Sequence, residues 1–263
     1  MRNLFWRGAG LLTAGLLARH PAQAQPTRVA DYNTVGWFVY EGDHGLGKRW
    51  AVHTEYQWRR VQVVRARQQA LARLGLTYRL APRVQLGGGY TSLITHPYGD
   101  YPTADTGVPF PEHRIYEDVT LSDTLGRLAL AQRVRLEQRW VGQLNDGARR
   151  GDIASWQYQH RIRYQLAATR PLKGARVDDG EAYLTAFDEV FLNFGQAVGG
   201  NIFNQNRIGG GLGYQVRDGF QVELQYLNQI TQHADPEPAT DLPVFEFNHG
   251  FRLGVSYNFT LVK

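Results

Sequence analysis

Arginine and acidic residues recur at every second position in several stretches of this chain. Arg133, Arg135, Glu137 and Arg139 alternate within R-V-R-L-E-Q-R-W, and Arg161 and Arg163 repeat the spacing. Glu55, Arg59, Arg73, Arg114, Asp118, Arg207, Glu223, Glu246 and Arg252 sit in stretches of the same kind. Side chains of this type can neutralise one another by charge-assisted hydrogen bonds. With arginine in excess they can line a passage that favours small anions. Other candidates carry less. His96, Asp100, Asp105 and His113 cluster around one segment and could hold a metal, but solvated loop residues are the plainer reading. Ser155 and His160 lie five apart in one stretch, so they face opposite sides, and no G-x-S-x-G is present. The glycines at 209, 211 and 213 open no helix and are not a phosphate loop. Room for bulky arginines, or curvature of the backbone, explains them better. No catalytic residue, metal site or cofactor is assigned, and the expectation is a non-enzymatic protein.

These residues are positioned by strands. In Arg127 to Trp140, Leu128, Leu130, Val134, Leu136 and Trp140 share one face, while Arg133, Arg135, Glu137 and Arg139 share the other. A period of two is that of a strand. The same pattern predicts strands over Tyr32–Tyr40, Arg49–Arg59, Arg67–Leu80, Val84–Ile94, Glu112–Ser122, Ser155–Ala168, Glu181–Phe194, Arg207–Val216, Phe220–Ile230 and Phe245–Leu261. Alternation is poor in Glu181–Phe194, where Asp188 and Glu189 interrupt it. The segment G-D-H-G-L-G is expected to turn the chain after the first strand.

Composition narrows the class. The chain has 263 residues, 29 glycines, no cysteine and a net charge of +5. Disulfides and thiolate metal sites are excluded. The basic residues lie inside alternating strands and not in runs, which argues against nucleic acid as a partner. Residues 1–24 read as a secretory signal, with Arg2 and Arg7, an apolar run from Gly8 to Ala18, and Ala22-Gln23-Ala24 as the cleavage site. That run is too short to span a bilayer as a helix, which needs about 20 residues. The mature chain, 25–263, reads as one domain.

Most strands run about 10 to 14 residues, longer than the globular norm and long enough to cross a bilayer at a tilt. From the third strand onward, connections alternate short and long, which places the C-terminus on the short-turn side. Trp50, Trp58, Trp140, Trp156, Tyr257 and Phe259 fall at strand ends, as in interfacial girdles. The expected fold is all-β: an antiparallel up-and-down transmembrane β-barrel of about 10–12 strands. Eleven strands are visible, whereas bacterial barrels of this kind are even-numbered. Either Tyr32–Tyr40 lies outside a ten-stranded wall, or a twelfth strand exists.

E-x-R-I at 112–115, R-x-R-L-E-x-R-W at 133–140, H-R-I-R-Y at 160–164, D-E-V-F at 188–191 and N-x-N-R-I-G-G-G-L-G-Y at 204–214 occur in order. In this the chain resembles the family catalogued as domain of unknown function 2490. The resemblance covers about 30–263. It implies an outer-membrane β-barrel of Gram-negative bacteria, and it carries no catalytic residues to transfer.

The expectation is therefore an integral outer-membrane barrel, a narrow pore or a plugged structural barrel, with the charged residues above forming its lumen network. Its partners would be outer-membrane lipid, the barrel-assembly machinery during insertion, and small anions. Two other readings stay open: a barrel enzyme with a rim site, and a secreted soluble β-barrel or sandwich. Segments 95–111, 193–205 and 231–244 would form the longer loops.

Overall fold

In the computed structural model, residues 27–103, 107–145 and 147–261 are described, so residues 1–24, expected from the sequence to be a secretory signal, lie outside them. Eleven long strands form one closed barrel: β1 (Val29–Gly45), β2 (Trp50–Val61), β3 (Ala66–Ala81), β4 (Val84–Thr95), β5 (Phe110–Leu125), β6 (Leu128–Leu144), β7 (Ile153–Pro171), β8 (Glu181–Phe194), β9 (Phe203–Arg217), β10 (Phe220–Gln232) and β11 (Val244–Tyr257). A two-residue strand, β12 (Phe259–Thr260), extends β11 along β1. Each strand pairs antiparallel with its neighbour in sequence, as short connections dictate.

The closure differs from expectation. The barrel has eleven long strands, so β1 and β11 run in the same direction, and the wall shuts through a parallel ladder from Val29↔Val244 to Glu41↔Ser256. Tyr32–Tyr40 is part of the wall, and the described residues contain no twelfth full-length strand. The first turn also differs. β1 continues through Gly42 to Gly45, and the chain reverses over residues 46–49.

The two rims are unlike. One carries the reversals at 46–49, 82–83, 126–127, 172–180 and 218–219, together with the C-terminus. The other carries the connections at 62–65, 96–109, 145–152, 195–202 and 233–243. These are called the turn rim and the loop rim below. An odd strand count puts the start of β1 at the loop rim.

The outer face is apolar and uncovered. Leu74, Leu76, Ile115, Val134, Ile162, Leu166, Ile208, Leu212, Leu224 and Tyr226 are all exposed on it. Aromatic pairs mark its two ends. Trp140 meets Tyr158 with ring centroids 5.1 Å apart near the loop rim. Trp50 meets Tyr78 at 4.7 Å near the turn rim. Glu117 and Asp188 interrupt the apolar face. Each is held by a neighbouring amide, Gln138 at 3.3 Å and Asn206 at 2.6 Å.

Candidate functional site

The inner wall carries the chemistry. Period-two alternation sends one row of each strand into the lumen, and the register aligns those rows. Glu137 on β6 is fully buried. It accepts from Arg161 Nε at 2.8 Å, Arg161 Nη2 at 2.5 Å and Arg163 Nη1 at 2.7 Å. Glu189 on β8 accepts from Arg163 Nη2 at 2.6 Å and from Arg133 Nη2 at 3.0 Å, bridging β6, β7 and β8. Glu112 takes both Arg114, at 2.7 Å, and Arg139, at 2.6 Å. Asp118 pairs with Arg135 at 2.5 Å, Glu55 with Arg73, and Glu223 with Arg252 at 3.3 Å. Multiple hydrogen bonds per carboxylate are what make buried charge tolerable.

Aromatic rings fill the space between the arginines. Arg59 lies 4.0 Å and Arg207 5.0 Å from the ring centroid of Trp37. Arg163 and Arg207 flank Phe191 at 4.5 Å and 4.6 Å, and Arg135 sits 4.4 Å from Tyr116. Val35, Trp37, Val39, Val61 and Leu227 make a small apolar cluster inside the barrel, with Phe187 and Tyr98 against it. Glycines make room for the rings. A Cβ at Gly209 would strike the Phe187 ring, one at Gly213 the Tyr183 ring, and one at Gly75 the Tyr116 hydroxyl. Gly209 and Gly213 of β9 therefore accommodate aromatics from β8, where sequence reasoning expected arginines or backbone curvature.

The middle of the lumen is closely packed. Trp37, Thr91, Glu137, Phe191, Leu227 and Asn248 are each no more than 3% exposed. Toward the loop rim the interior opens into a cavity of about 740 Å³, lined by Arg59, Arg139, Arg161, Arg207 and several amides. Tyr98 and residues 100–103 of the connection after β4 line this cavity. Tyr98 donates to Glu246 Oε1 at 2.6 Å and accepts from Gln68 Nε2 at 3.1 Å, tying that loop to β11 and β3. Burial and the Glu246 carboxylate push the Tyr98 hydroxyl well above its ordinary pKa, so it stays a donor.

All fifteen residues expected in the lumen network face inward: Glu55, Arg59, Arg73, Arg114, Asp118, Arg133, Arg135, Glu137, Arg139, Arg161, Arg163, Arg207, Glu223, Glu246 and Arg252. Sequence reasoning missed Glu112 and Glu189, which anchor four arginines between them. Glu112 shares the parity of Arg114, which was the available signal. Glu189 was hidden because β8 turns Tyr183, Phe187 and Phe191 inward, against the usual sorting. Among the described residues, His96, Asp100 and His113 belong to no group of three or more side chains that could hold a metal. His113 is on the outer wall of β5, stacked near Tyr90 and Trp156, and Asp105 lies outside the described residues. His160 also faces outward, stacked on Phe194 at 5.1 Å, and does not meet Ser155.

No curated protein matches the chain. A solved structure titled "NanC porin structure in rhombohedral crystal form" aligns with 85% of this chain and 97% of its own, at 11% identity and a TM-score of 0.46. The family model described as Protein of unknown function (DUF2490) matches residues 34–239, and the chain belongs to that family.

Proposed function

We propose that this protein is an integral outer-membrane barrel whose lumen is closed by its own ion network, a scaffold and not an open channel or an enzyme. The membrane reading rests on the inverted sorting of side chains. Apolar residues cover the outside of the wall, and the paired charges are inside. A soluble barrel would show that apolar face to water over an area far beyond the few hundred Å² usual for exposed patches. The exposed Trp50, Tyr56, Trp58, Trp156, Tyr158 and Tyr214 suit the two interfaces of a bilayer.

The observation that carries the closed lumen is its closely packed middle. A water-filled bore wets its lining. Here Glu137 and Phe191 are wholly buried, and their neighbours nearly so. Arg133 and Arg135, the residues expected to select anions in a pore, are bound to Glu189 and Asp118. Small anions meet the cavity at the loop rim but find no path past Glu137.

Insertion tests the membrane reading. Urea-unfolded protein diluted into phosphatidylcholine vesicles should float with the vesicles, resist carbonate extraction, and run faster on gels before boiling than after. A protein that stays in the soluble fraction, folded without detergent, would contradict it.

A further inference from the structure

We propose that the loop-rim cavity is a binding site for a small organic anion bearing carboxylate or phosphate, held by Arg59 and Arg207 on either side of the network's upper edge. The inference starts from charge. Arg114, Arg133, Arg139, Arg161 and Arg163 share the three carboxylates Glu112, Glu137 and Glu189. Arg59 and Arg207 approach the same group of side chains, yet among the described residues neither has a carboxylate within 4.0 Å. Seven guanidiniums thus face three carboxylates. Glu246, which also lines the cavity, is already held by Tyr98 and His233. The other acidic residues of the lining, Asp100, Asp235 and Glu237, belong to the connections at its mouth, so the unmatched positive charge lies at the inner end of the cavity.

Buried, unneutralised charge is costly. It persists where something outside the chain supplies the counter-charge. The cavity is where that can happen, because Arg59 and Arg207 both line it. Their donors are incompletely used. Arg59 bonds only to the amide oxygens of Gln57 and Gln69. Arg207 makes one long hydrogen bond, 3.4 Å to Gln205, and its buried Nε has no partner. Both guanidiniums are fixed by stacking on Trp37, at 4.0 and 5.0 Å, so they are held in place before any ligand arrives. A guanidinium edge offers two parallel N–H groups, which match the two oxygens of a carboxylate or phosphate. The cavity volume of about 740 Å³ admits an organic molecule and not only an ion. Gln69, Gln157, Gln159, Asn204 and Gln229 on its wall offer both donors and acceptors to the rest of such a molecule.

Isothermal titration of the folded barrel in non-ionic detergent, at low chloride, tests this. Inorganic phosphate and citrate are the probes, and glycerol is the neutral control. Saturable heat with either anion, and none with glycerol, is the expected result, and the comparison separates phosphate from carboxylate recognition. Arg59→Gln together with Arg207→Gln should weaken binding about tenfold or more, the loss of hydrogen bonds to charged groups. Arg149→Gln with Arg150→Gln, in an exposed loop, should leave it unchanged. Gel mobility before boiling verifies that each variant is folded, and Arg207→Gln alone serves if the double variant is not. No saturable heat in the wild type up to about 10 mM anion would overturn the proposal. So would binding that survives loss of both lumen arginines or disappears with the loop pair. Because binding is read in detergent, it stands or falls separately from vesicle insertion.

Discussion

At the residue scale, the lumen is held by a few carboxylates that each serve several guanidiniums. Glu137 is the extreme case, with three hydrogen bonds from two arginines and no exposure. Glu137→Gln leaves Arg161 and Arg163 buried with an uncharged partner. The expected cost is about 3–5 kcal/mol, the range for breaking a buried pair by removing one member. Urea titration of the unboiled gel band reads it as a fall in midpoint. The contrast is Arg83 with Asp123 at the turn rim, also 2.8 Å apart but 72% and 61% exposed. Asp123→Asn should move the midpoint by less than about 1 kcal/mol. Equal effects at the two sites would contradict the role given to burial. The alternating arginines made this network legible in the sequence, since parity alone places them. What parity could not show is which acid takes which arginine. That depends on the stagger of adjacent strands and on side chains reaching over an intervening strand, as Arg133 of β6 does to Glu189 of β8.

At the element scale, β8 and β9 act as one unit. β9 turns glycines inward, and β8 lays Tyr183 and Phe187 across them. Gly213→Ala puts a methyl group into the Tyr183 ring. Overpacking of this kind costs roughly 1–3 kcal/mol. Adding Tyr183→Leu should recover part of that loss, because the two changes meet in one contact. Thermal loss of the unboiled mobility form measures both variants, and additive losses would show that the ring and the glycine are not partners. The glycine row was visible in the sequence, but its use was not. Aromatics turned toward a lumen break the rule that assigns large apolar residues to the outer face. The same exception hid Glu189 and made β8 the least readable strand.

At the scale of the whole molecule, eleven strands and a parallel seam define the barrel. The strands themselves were legible from period two, and most boundaries fall within a few residues of those expected. The seam was not legible. A ladder between the first and last strands is set by strand number and closure, and nothing local in β1 or β11 records its direction. The register places Tyr40 opposite Val255 and Tyr32 opposite Phe247. In a chain without cysteine, Tyr40→Cys with Val255→Cys should therefore be bridged by a short bifunctional thiol reagent. Tyr40→Cys with Phe247→Cys should not. The reverse outcome would mean an antiparallel closure. The central claim, a barrel sealed across its middle by paired charge, is tested most directly by conductance of the purified, refolded protein in a planar bilayer. Insertion is verified beforehand by flotation with vesicles. A folded, inserted and electrically silent protein is the expected result. Discrete, reproducible steps from the wild-type barrel would contradict the sealed lumen and make the arginine-lined interior a passage.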